Sequence, residues 1–251
     1  MTLNSPSINQ EEVEKFSRMA EDWWNPTGKF KPLHKFNPVR IRFIRDKLLA
    51  HFQLSTDQPS AISHQPLKNL SILDIGCGGG LLAIPLTRLG AQVTGIDASE
   101  KNIKIAQAYA QTQNLNVEYI NISAEDLASQ GRKFDVVLNM EVIEHVADVA
   151  SFMQASATLV KPNGLMFVAT LNRTMKSFFT AIVGAEYVLR WLPRGTHDWK
   201  KFLKPHEIND EFEKNNIKLI ESAGVKFNVI KDEFYLDQDL STNFMMVGKK
   251  L

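Results

Sequence analysis

The sequence predicts an α/β protein built on a doubly wound, mostly parallel sheet of seven strands. Three observations predict it. Five short apolar runs between residues 71 and 171 alternate with amphipathic helical stretches, the pattern of parallel strands joined by right-handed crossovers. The first run, Ile72-Leu73-Asp74-Ile75, enters a glycine turn, Gly76-Cys77-Gly78-Gly79-Gly80. The second ends on Asp97, 21 residues after Gly76, where such sheets present a carboxylate to a ribose.

The elements follow in order. Residues 1–54 are expected to form N-terminal helices: an amphipathic stretch Glu11–Ala20, a break at Trp23-Trp24-Asn25-Pro26, and a basic-apolar segment Val39–Phe52. Residues 55–69 are polar, carry two prolines and lack an apolar period, so a flexible loop is expected. The core at 70–171 has strands at 71–75, 92–96, 117–121, 134–139 and 165–171, each an apolar run suited to burial on both faces. Helices Leu81–Leu89, Glu100–Thr112 and Asp148–Val160 lie between them. Ser99 suits an N-cap, and Pro162-Asn163-Gly164 ends the last of these helices and turns into a strand. A helical insertion at 172–204 precedes a final helix (205–215) and two late strands near 225–231 and 243–248. One domain over 1–251 is expected.

Composition narrows the class. Apolar residues make up 44% and charged residues 23%, as in ordinary globular domains. Cys77 is the only cysteine, which excludes an intrachain disulfide and points to a reducing compartment. It occupies a turn that needs a small side chain, so a structural role is expected. The N-terminus has no signal-peptide pattern, and no apolar run approaches a membrane span of ~20 residues. Net charge is +1, yet residues 29–47 carry +6 and 171–206 carry +5. Two basic segments suggest an anionic surface or ligand, with solvated faces as the plainer alternative.

The glycine turn narrows the ligand. A dinucleotide site reads G-x-G-x-x-G, with pyrophosphate on the helix N-terminus. This chain reads D-x-G-x-G-x-G, from Asp74 to Gly80. A carboxylate inside the motif repels pyrophosphate but suits an ammonium and a sulfonium, so S-adenosylmethionine is the expected cofactor. Asp97 can accept from both ribose hydroxyls; capping the helix at Ser99 is its alternative role. The segment Ser123-Ala124-Glu125-Asp126-Leu127 is expected to face adenine.

Asn139-Met140-Glu141-Val142-Ile143-Glu144-His145-Val146 leaves the fourth strand at its C-terminal edge, outside which open α/β sheets bind ligands. If a helical turn begins there, Glu141, Glu144 and His145 share one face. Three readings stay open on these residues: a site for Mg²⁺, Mn²⁺ or Zn²⁺, a general base His145 oriented by Glu144, or a capping acid beside a hydrogen-bonded histidine. Arg40 can clasp a carboxylate bidentately, though charge alone favours a solvated helix face.

Asp74–Gly80, Asp97, the Met140-Glu141…Glu144-His145-Val146 block and Leu159-Val160-Lys161-Pro162-Asn163-Gly164 resemble class I S-adenosylmethionine-dependent methyltransferases, whose fold is Rossmann-like. Narrower motifs are Phe30-Lys31-Pro32-Leu33-His34…Asn37-Pro38-Val39-Arg40, Thr170-Leu171-Asn172-Arg173, and Val183–Arg190 with Gly195-Thr196-His197-Asp198. Together they resemble the ubiquinone-biosynthesis O-methyltransferase family over nearly the whole chain, and the polar loop at 55–69 resembles an insertion relative to bacterial members.

The resemblance implies methylation of the phenolic oxygen of a polyprenyl catechol and of 3-demethylubiquinol. It implies cofactor contacts at Arg40, Gly76, Asp97 and Met140, and in some members a divalent metal, Mg or Zn, on Glu141, Glu144 and His145; the catalytic role expected for His145 with Glu144 rests on the residues themselves. The partners expected are a polyprenylated quinol or catechol, a membrane surface, and other ubiquinone-biosynthesis proteins. The location expected is cytoplasmic, peripheral at the inner face of the membrane. Lys176–Leu192, too short to span a bilayer and basic at and beyond both ends, reads as a lid helix or as a helix lying in the membrane interface. Nucleic acid is not expected, because the basic residues lack interleaved aromatics. The alternatives are a methyltransferase with a soluble substrate and a catalytically idle cofactor-binding scaffold.

Overall fold

The computed structural model describes residues 5–54, 65–177 and 199–251. Two helices, α1 (Gln10–Met19) and α2 (Lys31–His51), lead into the core. The core runs β1 (Ser71–Ile75), α3 (Ala83–Arg88), β2 (Gln92–Asp97), α4 (Glu100–Thr112), β3 (Glu118–Asn121), α5 (Ala124–Ser129), β4 (Phe134–Met140), α6 (Val149–Thr158) and β5 (Val160–Leu171). A short turn of helix, α7 (Met175–Ser177), follows, then α8 (Pro205–Lys214), β6 (Ile217–Asn228), β7 (Glu233–Asp237) and β8 (Asn243–Lys250).

The strands form one sheet in the order β3-β2-β1-β4-β5-β8-β6-β7. The first five are parallel, and β8 returns antiparallel between β5 and β6. Side chains alternate between the faces. Ile72, Val136, Leu138, Phe167 and Val247 meet α2, α3 and α4 on one face; Leu73, Val137, Met166, Val168 and Met246 meet α5, α6 and α8 on the other. Both faces are dry, which is why these strands read as continuous apolar runs. The strand order reverses between β1 and β4, and ligands of such sheets bind outside the carboxyl ends at that reversal.

Four differences from the sequence reading have local causes. The sheet has eight strands, because the apolar run near 225–231 is the end of β6 plus a hairpin tip, with β7 returning beside it. Helix α2 starts at Lys31 rather than Val39: Pro32 sits in its first turn, where no N–H is needed, and Pro38 lies in its interior. Burial of Phe36, Val39, Phe43, Ile44 and Leu48 along one side outweighs the lost hydrogen bond. The turn Pro162-Asn163-Gly164 is a bulge inside β5, where the register shifts against β4 and Asn163 takes φ +62°. The segment after β3 is a short helix, α5, capped by Ser123 accepting from the Asp126 N–H.

No helix among the described residues is long and apolar enough to cross a membrane. The stretch 178–192 of the lid-or-interface segment lies outside the described residues.

Candidate active site

The carboxyl ends of β1, β2 and β4 open onto a cavity of about 760 Å³, within the range of small-ligand sites. The turn after β1 forms its floor. Gly76 and Gly78 take φ +66° and +53°, a left-handed backbone that glycine adopts without strain. Space demands glycine too. A Cβ on Gly76 would stand 2.6 Å from the Val142 side chain, and one on Gly78 would stand 2.2 Å from the Trp23 ring.

Asp97 locks the turn. One carboxylate oxygen accepts from the Gly78 N–H at 2.9 Å; the other accepts from the Ser99 N–H at 2.8 Å and the Asn102 amide at 3.2 Å. Burial raises its pKa against the pull of these hydrogen bonds. Of about four acceptor positions on a carboxylate, three are used. Asp97 therefore holds the loop and the start of α4, and has capacity for about one more donor rather than the two ribose hydroxyls expected. The Asn102 carbonyl oxygen accepts from the Trp23 indole at 3.0 Å, which ties the N-terminal segment into the same network.

Asp74 and Arg40 face the cavity from opposite elements. Both are buried, and each keeps one polar atom without a partner, Asp74 Oδ2 and Arg40 Nε. Burial pushes the Asp74 carboxyl up to about 7, with the Arg40 charge opposing and Asp97 adding to the rise. Arg40 is no solvated surface charge. Its guanidinium donates to Asn37 at 2.9 Å and lies over the Phe36 ring, while burial lowers its pKa. A buried carboxylate and a buried guanidinium with unmet hydrogen-bonding capacity suit a zwitterionic ligand, its ammonium toward Asp74 and its carboxylate toward Arg40. Cys77 is buried, and burial with the nearby Asp97 and Asp74 charges pushes its thiol up, away from the reactive thiolate form.

The edge after β4 departs from the expected helical turn. Met140 is buried at the strand end and lines the cavity. Glu141 takes φ +64°, which swings the chain off the sheet, and the following 3₁₀ turn covers only Ile143–His145. The three side chains then reach three different elements. Glu141 accepts from Asn243 of β8 at 3.1 Å, Glu144 from Thr170 of β5 at 2.9 Å, and His145 Nδ1 stands 3.1 Å from Glu12 of α1. No group of three His, Cys, Asp or Glu side chains among the described residues is placed to hold a metal ion. The three residues as arranged do not fit a divalent metal, and the shared helical face on which that expectation rested is not formed.

The carboxylate that orients His145 is Glu12, not Glu144. Glu144 is buried, and burial with the Glu141 charge pushes it well above the ordinary carboxylate range. Glu12 is held down at about 2 by its hydrogen bond to His145, with Lys15 and Lys201 adding to the effect and burial opposing it. A carboxylate only accepts, so Nδ1 carries the proton of the neutral ring and the lone pair lies on Nε2. Phe16 packs edge-on against the imidazole at 5.0 Å.

Helix α1 and the residues before it roof the cavity. Ser7 accepts from the Ala147 N–H, and its own N–H donates to Glu125; Ser5 bonds Ser123. Ser123 and Ala124, in the segment expected to face adenine, line the cavity. Glu12, Trp23, Asn102 and Asn243 were missed in the sequence. Only Asn102 stood near a recognised motif, five residues after Asp97.

A family model described as a methyltransferase domain matches residues 38–222. The ubiquinone biosynthesis O-methyltransferase of Bartonella tribocorum is 50% identical over 244 residues, 97% of each chain. The protein of the same name from Sinorhizobium fredii is 52% identical over 97% of this chain and 96% of its own. Among solved structures, magnesium protoporphyrin IX methyltransferase from Synechocystis PCC 6803 with bound SAH superposes with a TM-score of 0.57. It is 18% identical, covering 99% of this chain and 90% of its own, a likeness of fold.

Proposed function

Since this chain belongs to the ubiquinone biosynthesis O-methyltransferase family, we propose that it moves the methyl group of S-adenosylmethionine to a phenolic oxygen of a polyprenylated catechol or quinol. The observation that carries this reading is that Asp74 and Arg40, both buried and each with an unpartnered polar atom, line one cavity with the glycine turn and Asp97.

The cofactor supplies a methyl group on a positively charged sulfur, which leaves as a neutral thioether. The protein's part is to position it and to ready the acceptor. Gly76 and Gly78 let the backbone approach closely, Asp97 has capacity for a ribose hydroxyl, and Arg40 and Asp74 suit the carboxylate and ammonium of the methionine end. Met140 packs at the end of β4, against the reacting region. A phenol titrates near ~10, so its oxygen needs a base at neutral pH. His145, oriented by Glu12, takes the phenolic proton on Nε2. The oxygen lone pair then forms the bond to the methyl carbon as the sulfur–carbon bond breaks, its electron pair returning to sulfur. Fixing donor and acceptor in line supplies much of the rate. Glu141, Glu144 and His145 are each engaged by a different element, so the proton is assigned to His145 alone.

A polyprenylated acceptor stays in a bilayer, so the protein works at a membrane surface, with no span of its own required. The test is incubation with methyl-labelled S-adenosylmethionine and, in parallel, a polyprenyl catechol in vesicles or a water-soluble catechol, the product being mapped by mass spectrometry. Label on the phenolic oxygen supports the reading. Label only on a water-soluble catechol would favour a soluble substrate, and label on neither would overturn the assignment.

A further inference from the structure

The same cavity has an apolar mouth at the β6–β7 hairpin, where Val229 both lines it and is exposed. Phe36 on α2 and Phe227 and Phe234 of the hairpin also line the cavity. The aromatic rings form a continuous wall, with centroids 5.3 Å apart for Phe36–Phe234 and 4.9 Å for Phe227–Phe234. Charged groups flank this wall: Lys35 pairs with Asp232, and Lys226 pairs with Asp237 and Asp239.

At the hairpin tip Val229 is 79% exposed and Ile230 is 97% exposed. A single exposed aliphatic is ordinary. Two consecutive β-branched residues at a turn tip are not, since turns favour Gly, Asn, Asp and Ser. Val229 also lines the cavity, so the exposed tip and the mouth are one surface.

We propose that this mouth is the exit for the apolar tail of a polyprenylated acceptor, and that Val229 and Ile230 carry it into a bilayer interface. The inference rests on the methyl-transfer reading above. An apolar chain leaving the cavity between Phe36 and the hairpin would run along the Phe36–Phe234–Phe227 wall. A tip seated among acyl chains would remove Val229 and Ile230 from water, which favours docking.

The test compares two acceptors on the full chain. One is a catechol with a long prenyl chain in vesicles of phosphatidylcholine and phosphatidylglycerol; the other is the same ring with one isoprene unit in water. For Ile230→Glu, kcat/KM with the long acceptor should fall about tenfold or more, from loss of one buried aliphatic side chain, and stay within about twofold with the short one. Ile230→Trp should show blue-shifted emission when the vesicles are added. An equal effect on both acceptors, or emission that vesicles leave unmoved, would overturn the proposal. So would a wild-type dimer that Ile230→Glu dissociates, since a second copy would then cover the tip. Wild-type protein that methylates neither acceptor would remove the methyl-transfer reading itself.

Discussion

The carboxylate of Glu12 holds the imidazole of His145 at 3.1 Å, across 133 positions of chain. The contact joins a roof helix to the carboxyl edge of β4, so the base is complete only when the N-terminal segment is seated. Lys201 reaches the other oxygen of Glu12 at 3.2 Å, and the segment after residue 198 joins the same cluster.

Glu12→Gln keeps the shape and removes the charge. Loss of a charge-assisted hydrogen bond costs about 1.5–3 kcal/mol, so kcat should fall about ten- to a hundredfold while cofactor affinity holds. Steady-state kinetics with parallel calorimetric titration separates the two. The pair also stabilises the fold. With Glu12 at about 2 against an ordinary 4.5, its stability contribution is present above pH 4.5 and lost as pH falls toward 2. Thermal melts over that range should be steeper for wild type than for Glu12→Gln.

Asp74 gives the opposite sign. Its carboxyl is raised to about 7 from 3.8, so the cofactor-free fold is favoured by the neutral form and loses that stability as pH rises from about 4 through 7. Melts of cofactor-free protein should decline over this window in wild type and stay flatter in Asp74→Asn. Cofactor affinity in wild type should rise through the same window, because an ammonium needs the ionised carboxylate.

Gly78→Ala forces a Cβ into the Trp23 ring and holds a non-glycine residue at positive φ. Overpacking costs about 1–3 kcal/mol, with a fall in Tm of about 2–4 °C for each on a chain of this size. Adding Trp23→Ala should relieve the clash and leave the backbone strain, so the double variant should lose less than the two single losses combined.

Asp97→Ala removes the acceptor for Gly78, Ser99 and Asn102 together. Cofactor affinity should fall at least tenfold, and Tm should fall with it, because the carboxylate braces the loop as well as the ligand. An affinity loss with unchanged Tm would show that the bracing is unimportant.

What could be read in the sequence was what neighbouring residues decide. The β1–glycine turn–α3–β2 unit and Asp97 sit within 27 residues, and the apolar runs are continuous because each strand is buried on both faces. Residues 31–38 hid the start of α2, since two prolines outscore helix propensity until Phe36, Val39 and Phe43 are seen packed on the sheet. The β6–β7 hairpin was hidden because Val229-Ile230, apolar like a strand, forms a tip. Glu12 was out of reach altogether. Nothing in an amphipathic helix names the distant residue one of its acids will touch, and Glu144, the neighbour chosen for that role, turns to Thr170.

Methyl transfer by this protein turns on His145, set by Glu12, taking the proton from the acceptor. The direct measurement is the single-turnover rate of methyl transfer in His145→Ala beside wild type, with cofactor affinity measured on the same preparations. Methyl transfer in His145→Ala should be slower by about 10² or more, the range of a positioned general base, with cofactor affinity unchanged. A His145→Ala enzyme that turns over near the wild-type rate would contradict that role for His145.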